Sequence, residues 1–168
     1  PFLMEHGITA SQLGLWLGTW GMAASIAGSV AGGVLAMRFR LLPLLLWAGV
    51  LRLLPQAAQV CMAMGIIEVS PTSAMTIALA EHAAGGVLTT VMFACMMGWV
   101  DRSIGASHFT LLACIEVWGK SVAAFVSGVM AAQLGYAGAF TIGLSLGCVF
   151  LLLVRAISPD REPAAQRS

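Results

Sequence analysis

Apolar residues fill the chain in long, nearly unbroken stretches, and short polar or Pro- and Gly-bearing interruptions separate them at regular intervals. A helix needs roughly 20 mostly apolar residues to cross a bilayer. Cutting the chain at its charge and turn signals predicts five such helices. The first covers about 11–37, with a capping-type start from Thr9 to Gln12 after Gly7 and a stop at Arg38 and Arg40. The second covers about 42–67; Pro43 lies in its first turn, where a missing N–H does no harm, and Pro55 deep inside predicts a kink. The third spans 72–100, up to the Asp101-Arg102-Ser103 turn, the fourth 107–133, up to Gly135, and the fifth 136–157. Residues 1–10 read as an outer loop after a missing helix, and the polar, proline-bearing stretch 158–168 as a cytoplasmic tail. The fold class is an all-α membrane protein.

Small residues decorate the first helix with a helical period. Gly14, Gly18, Gly21, Ser25, Gly28 and Gly32 follow spacings of four and three, which sets them along one face. In lipid there is little hydrophobic drive between helices, so close backbone approach must hold a bundle, and such a face permits it. The same face would also let one helix rock against another. Gly143 and Gly147 repeat the device weakly in the fifth helix, whose large apolar residues and uncharged middle predict a peripheral position.

Composition agrees with a lipid solvent: 60% of the 168 residues are hydrophobic and 9% charged, against roughly 25% charged in soluble domains. Mean hydropathy is +0.94. Eight scattered Lys and Arg cannot form the basic face of a nucleic-acid binder. Arg38, Arg40, Arg102, Arg155, Arg161 and Arg167 all fall on one side of a five-pass arrangement, so the positive-inside rule puts the C-terminus in the cytoplasm. Cys61, Cys95, Cys114 and Cys148 lie in separate apolar segments without metal-ligand spacing and read as small buried hydrophobes. Met92, Met96 and Met97 read as packing, so no metal or cofactor is expected.

Five ionisable residues fall near the middle of predicted spans: Arg52, Glu81, His82, Glu116 and Lys120. At 1.5 Å per residue, Arg52 is about 15 Å from the inner end of its helix, too deep to snorkel easily. Charged groups at that depth cost about 2.5 kcal/mol or more, so they face the protein interior, pair, and mark function. Glu116 and Lys120 are four apart with the acid first, the better order for an ion pair within a helix. Arg52, Gln56 and Gln59 make a polar stripe on an oily helix. Glu81 and His82 lead a small and polar face through Gly85, Gly86, Thr89 and Thr90. One account pairs Arg52 with Glu81 and Glu116 with Lys120 in a neutral network that only locks helices together. The other makes Arg52 and Lys120 a cationic floor for an anionic solute, with Glu81, His82 or Glu116 exchanging protons.

The run Gly32-Gly33-Val34-Leu35-Ala36-Met37-Arg38-Phe39-Arg40 resembles a degenerate glycine-and-basic loop motif of the major facilitator superfamily, with Ala36 or Met37 where that motif carries an aspartate. Glu81 to Thr90, Gly105 to Ala113 and Ile115 to Lys120 resemble a branch of that superfamily. The branch contains AmpG-like muropeptide permeases, acetyl-CoA transporter-like proteins and the vertebrate major facilitator domain-containing protein three. The resemblance implies the last five of twelve helices, a partial C-terminal bundle whose N-terminal half is a separate part of the same transporter. It further implies gating at the inner loops by Gly32, Gly33, Arg38, Arg40, Asp101 and Arg102. The expected partners are the lipid bilayer, that missing half and a small-molecule substrate. The expected setting is a bacterial inner membrane. An intramembrane hydrolase built on His82 or His108 lacks any nucleophile or metalloprotease signature. A receptor or scaffold would bind without flux.

Overall fold

The first expected helix forms, but not as one regular rod. In the computed structural model, which describes residues 2–157 with the side chains of Arg102 and Ile157 excepted, it is preceded by a single helical turn, α1 (Phe2–Glu5), within the stretch expected to be loop. The chain then passes Gly7, at φ 85°, into α2 (Ala10–Leu15). Thr9 caps α2 reciprocally. Its hydroxyl oxygen accepts from the Gln12 N–H at 3.3 Å, and the Gln12 side-chain oxygen accepts from the Thr9 N–H at 3.0 Å, so two otherwise unpaired donors are satisfied. A π-helical turn, Trp16–Gly21, follows and leads directly into α3 (Met22–Arg38).

That turn explains which small residues pack. A π-helix bonds i to i+5 and holds more residues per turn than an α-helix, so the residues before and early within it are rotated out of phase with those after it. Gly14 and Gly18 accordingly have open space where a Cβ would stand, whereas Gly21, Gly28 and Gly32 all lie against α5 (Pro71–Trp99). A Cβ on Gly28 would collide with the Ala83 carbonyl group, and one on Gly86 with the Ser25 carbonyl oxygen. At Gly32 a Cβ would come within 2.9 Å of the Val87 oxygen. The Ser29 hydroxyl donates to the Gly86 carbonyl at 3.5 Å across the same crossing. The two backbones thus touch.

Helix α4 (Leu41–Ala63) runs through Pro55 and stops four residues before its expected end. Gly65, at φ 74°, donates to the Met62 carbonyl at 3.1 Å, while Ile66 donates to that of Cys61 at 2.9 Å. This paired C-terminal motif needs a left-handed residue, which only Gly supplies cheaply. A Ser70–Ser73 capping box with Pro71 in the first turn opens α5. A 3₁₀ turn, Arg102–Ile104, capped by Asp101, leads into α6 (Gly105–Ile157).

The long α6 is broken at Gly135, whose φ of 73° and ψ of 173° are not helical. Lys120 and Phe150, fifteen residues before and after it, line the same cavity. Were the helix continuous they would stand roughly 45 Å apart at 1.5 Å per residue. The chain therefore reverses at Gly135, giving a first arm (105–134) and a second arm (136–157). By length and hydropathy, the described residues carry four helices able to cross a membrane: Ala10–Arg38, Leu41–Ala63, Pro71–Trp99 and the folded-back Gly105–Ala156.

The packed core lies toward the end of the bundle marked by Arg38 and Arg155. There Leu44, Leu45 and Ala48 of α4 meet Val87, Val91 and Cys95 of α5, with Leu35, Ala36 and Val154 packed around them. The second arm of α6 packs along α4 on one side and leaves Leu146, Leu152 and Leu153 exposed on the other. Leu151 fills the place of a side chain at Gly49, and Leu53 packs over Gly147. The first arm is exposed too, with Val117, Trp118 and Phe125 all outward. Of the cysteines only Cys95 is buried; Cys114 and Cys148 are exposed, because both lie on outward faces of α6. The expected tail, 158–168, with Arg161 and Arg167, lies outside the described residues.

Gly28→Ala and Gly86→Ala should each lower stability by roughly 1–3 kcal/mol, since backbone atoms cannot step aside for the added methyl. Gly18→Ala should be neutral or stabilising by up to about 1 kcal/mol. Thermal unfolding of the three variants in lipid nanodiscs checks this, and an unaltered Gly28→Ala would disprove the close crossing.

Candidate functional site

Arg52 stands at the midpoint of α4, as far from water at either end as that helix allows. Its guanidinium crosses to α5 and donates through Nη2 to Glu81 Oε1 at 3.4 Å. The crossing is possible because Gly85, one turn after Glu81, has no side chain: a Cβ there would collide with Arg52 Nη1. Glu81 Oε2 accepts a second hydrogen bond, at 2.5 Å, from the Gln59 side-chain amide two turns further along α4. One carboxylate on α5 thereby ties together two positions of α4. The next residue, His82, points to the other neighbour. Its ring lies 3.0 Å from where a Gly21 Cβ would stand, so it rests on bare backbone at the end of the π-turn.

The first arm of α6 contributes Glu116 and Lys120, which form an ion pair one turn apart. The Glu116 side chain is 8% exposed and Lys120 is 60% exposed. Apart from Lys120, Glu116 Oε1 has no hydrogen-bond partner. These two, with Arg52, Glu81 and His82, line one cavity of about 600 Å³. Two cations and two acids cancel formally, so the site holds charge without a large net field. Both ion pairs border this cavity, Arg52–Glu81 between α4 and α5 and Glu116–Lys120 along the first arm of α6.

The polar stripe expected on α4 is divided. Arg52 faces the charged cavity, and Gln59 reaches Glu81 but lines a second cavity nearer the Gly65 and Gly135 turns. Gln56 lines neither, and its side-chain oxygen lies 3.4 Å from the Cβ position of Gly147 on the second arm. A true α-helical stripe spans about 60° over seven residues and faces more than one neighbour. Sequence reasoning did not assign Ser25, Ser29, Met92 or Phe150 to the site, yet all four line the charged cavity. Ser25 and Ser29, four apart on an apolar helix, carried a readable signal. Phe150 carried none, because only the reversal at Gly135 brings it there.

The inner-loop residues occupy two separate turns. Gly32 is buried against α5, while a Cβ on Gly33 would stand 3.9 Å from the Thr90 methyl. Arg38 closes α3 and Arg40 begins α4. Arg102 opens the 3₁₀ turn. Asp101 accepts from the Ser103 N–H at 2.9 Å and its hydroxyl at 2.7 Å, and its own N–H donates to His108 Nδ1 at 3.3 Å. The Ser103 backbone bond, then the hydroxyl bond, hold the Asp101 carboxyl below its ordinary 3.8. Among the described residues no three His, Cys, Asp or Glu side chains gather as a metal site. No known protein-family model matches the chain.

Removing one partner of Arg52–Glu81 should cost more than removing both. In a double-mutant cycle, Arg52→Gln and Glu81→Gln should show a coupling of about 0.5–3 kcal/mol by thermal unfolding; additive effects would mean the pair is not energetically joined. At the inner turn, a carboxylate with a lowered value stabilises the fold above 3.8 and loses that contribution as pH falls through the lowered value. Protection of the amides of residues 102–108 against hydrogen exchange, relative to intrinsic rates, should therefore fall below about pH 4, and Asp101→Asn should abolish that fall.

Proposed function

We propose that this chain is most of the C-terminal half of a secondary active transporter related to the major facilitator superfamily. In this reading five spans, namely α2 with α3, α4, α5 and the two arms of α6, move a small anionic solute by alternating access coupled to protons. The observation that carries the reading is the charged cavity. Five ionisable side chains from α4, α5 and α6 border one space of about 600 Å³ in a chain that is otherwise apolar. Such groups are costly in lipid and are retained where ions or polar solutes pass. Arg52 and Lys120 supply cationic groups for an anion, while Glu81, Glu116 and His82 supply proton acceptors.

The mechanical side of the reading draws on unequal packing. The α3–α5 crossing is tight and backbone-limited, whereas the first arm of α6, with Glu116 and Lys120, is exposed along most of its length. A rigid pair beside a loosely held charged arm suits rocking of one group of helices against another. The arginine distribution supports a cytoplasmic C-terminus, and the resemblance supports a bacterial inner membrane and an N-terminal half as partner. A hydrolase gains no support: among the described residues no serine hydroxyl is hydrogen-bonded to His82 or His108.

The complete gene product in proteoliposomes under an imposed pH gradient should take up anionic metabolites, and Arg52→Gln should reduce uptake at least tenfold. Glu81→Gln, His82→Ala or Glu116→Gln should weaken the proton dependence. Unchanged proton dependence in all three would sink the coupling, and saturable binding without flux would favour a receptor.

A further inference from the structure

A second cavity, larger than the charged one at about 720 Å³, lies toward the Gly65 and Gly135 turns. Its walls are mostly alkyl and aromatic, with Ser127 among them: Leu17, Met62, Ile77, Ala131 and Phe140 come from five different helical segments around it. At its rim the Tyr136 hydroxyl donates to the Glu5 carboxylate at 3.1 Å. A side-chain hydrogen bond joins it to the charged cavity: Gln59 lines the apolar space and hydrogen-bonds Glu81, a wall of the charged space. The two chambers therefore share the Gln59–Glu81 contact as their partition. A small hydrophilic anion would use the charged chamber and leave the apolar one idle; a hydrocarbon would have no use for Arg52.

We propose that the solute is an amphipathic anion, its acidic group in the charged chamber at Arg52 and its apolar body in the outer chamber beyond Gln59. This rests on the transport reading above and names its substrate class. The geometry also sets a length. Arg52 and Gln59 are seven residues apart on α4, about 10 Å along the axis, so the apolar part must begin about 10 Å from the acid. Shorter molecules reach only the charged chamber. Gln59 is the positioning residue at the partition.

The test is isothermal titration of the complete gene product in nanodiscs with ω-phenylalkanoic acids of increasing chain length, with empty nanodiscs subtracted. Affinity should stay flat for short acids and rise at least tenfold once the phenyl group extends about 10 Å beyond the carboxylate. Ala131→Leu and Ala139→Leu, which shrink the outer chamber from the two arms of α6, should each bring the long acids down to the affinity of the short ones. Two outcomes overturn the inference while leaving an anion carrier standing: short and long acids binding alike, or a smooth rise with chain length that neither variant alters, which is partition into lipid. Failure of every acid to bind saturably overturns both the inference and the transport reading. Because each leucine replaces an alanine from a different arm, misfolding of one variant leaves the other decisive, and Gln59→Leu, expected to shift the length at which affinity rises, gives a third readout.

Discussion

The rest of the structure depends on the contact between the backbones of α3 and α5. Gly28 admits the Ala83 carbonyl and Gly86 admits that of Ser25, so two helices approach to a distance that any side chain at these points would forbid. In lipid this closeness replaces the hydrophobic drive that assembles soluble bundles. It also fixes the rotation of α5. With Ala83 and Gly86 turned to α3, Glu81 and Gly85 turn toward α4 and His82 toward Gly21. The charged cavity is thus a by-product of how one glycine-bearing face was satisfied.

The charged groups are built into this frame by absence as much as by presence. Arg52 can lie across α5 because Gly85 is bare, and His82 can rest on Gly21 for the same reason. Glu81 then holds α4 at two heights through Arg52 and Gln59. The core below, from Leu44 to Val154, is filled, and the region above it is hollow.

The π-turn at Trp16–Gly21 marks the difference between a pattern and its use. The four-and-three spacing of small residues runs evenly from Gly14 to Gly32, and nothing in it distinguishes the packed positions from the idle ones. One extra residue per turn rotates Gly14 and Gly18 off the contact while leaving Gly21 at its edge. Likewise the composition of 136–157 suggested an outer helix without saying which neighbour it docks on; Gly49 and Gly147 let it settle on α4.

The sequence by itself determined the apolar, helical class, the rough extent of most helices, and the five ionisable residues set within apolar spans. These are local properties: hydropathy over a span, a cap such as Thr9–Gln12, a break such as Gly135, a charge in an apolar stretch; the stop at Gly65 was not among them. Only the tertiary structure decided which helix meets which, that Gln56 and Gln59 part company, and that Phe150 and Ser29 share a cavity with Lys120. The physical reason is that helix pairing in lipid is selected by shape, through contacts among residues far apart in the chain. A period of 3.6 says which residues share a face and is silent about the face they meet.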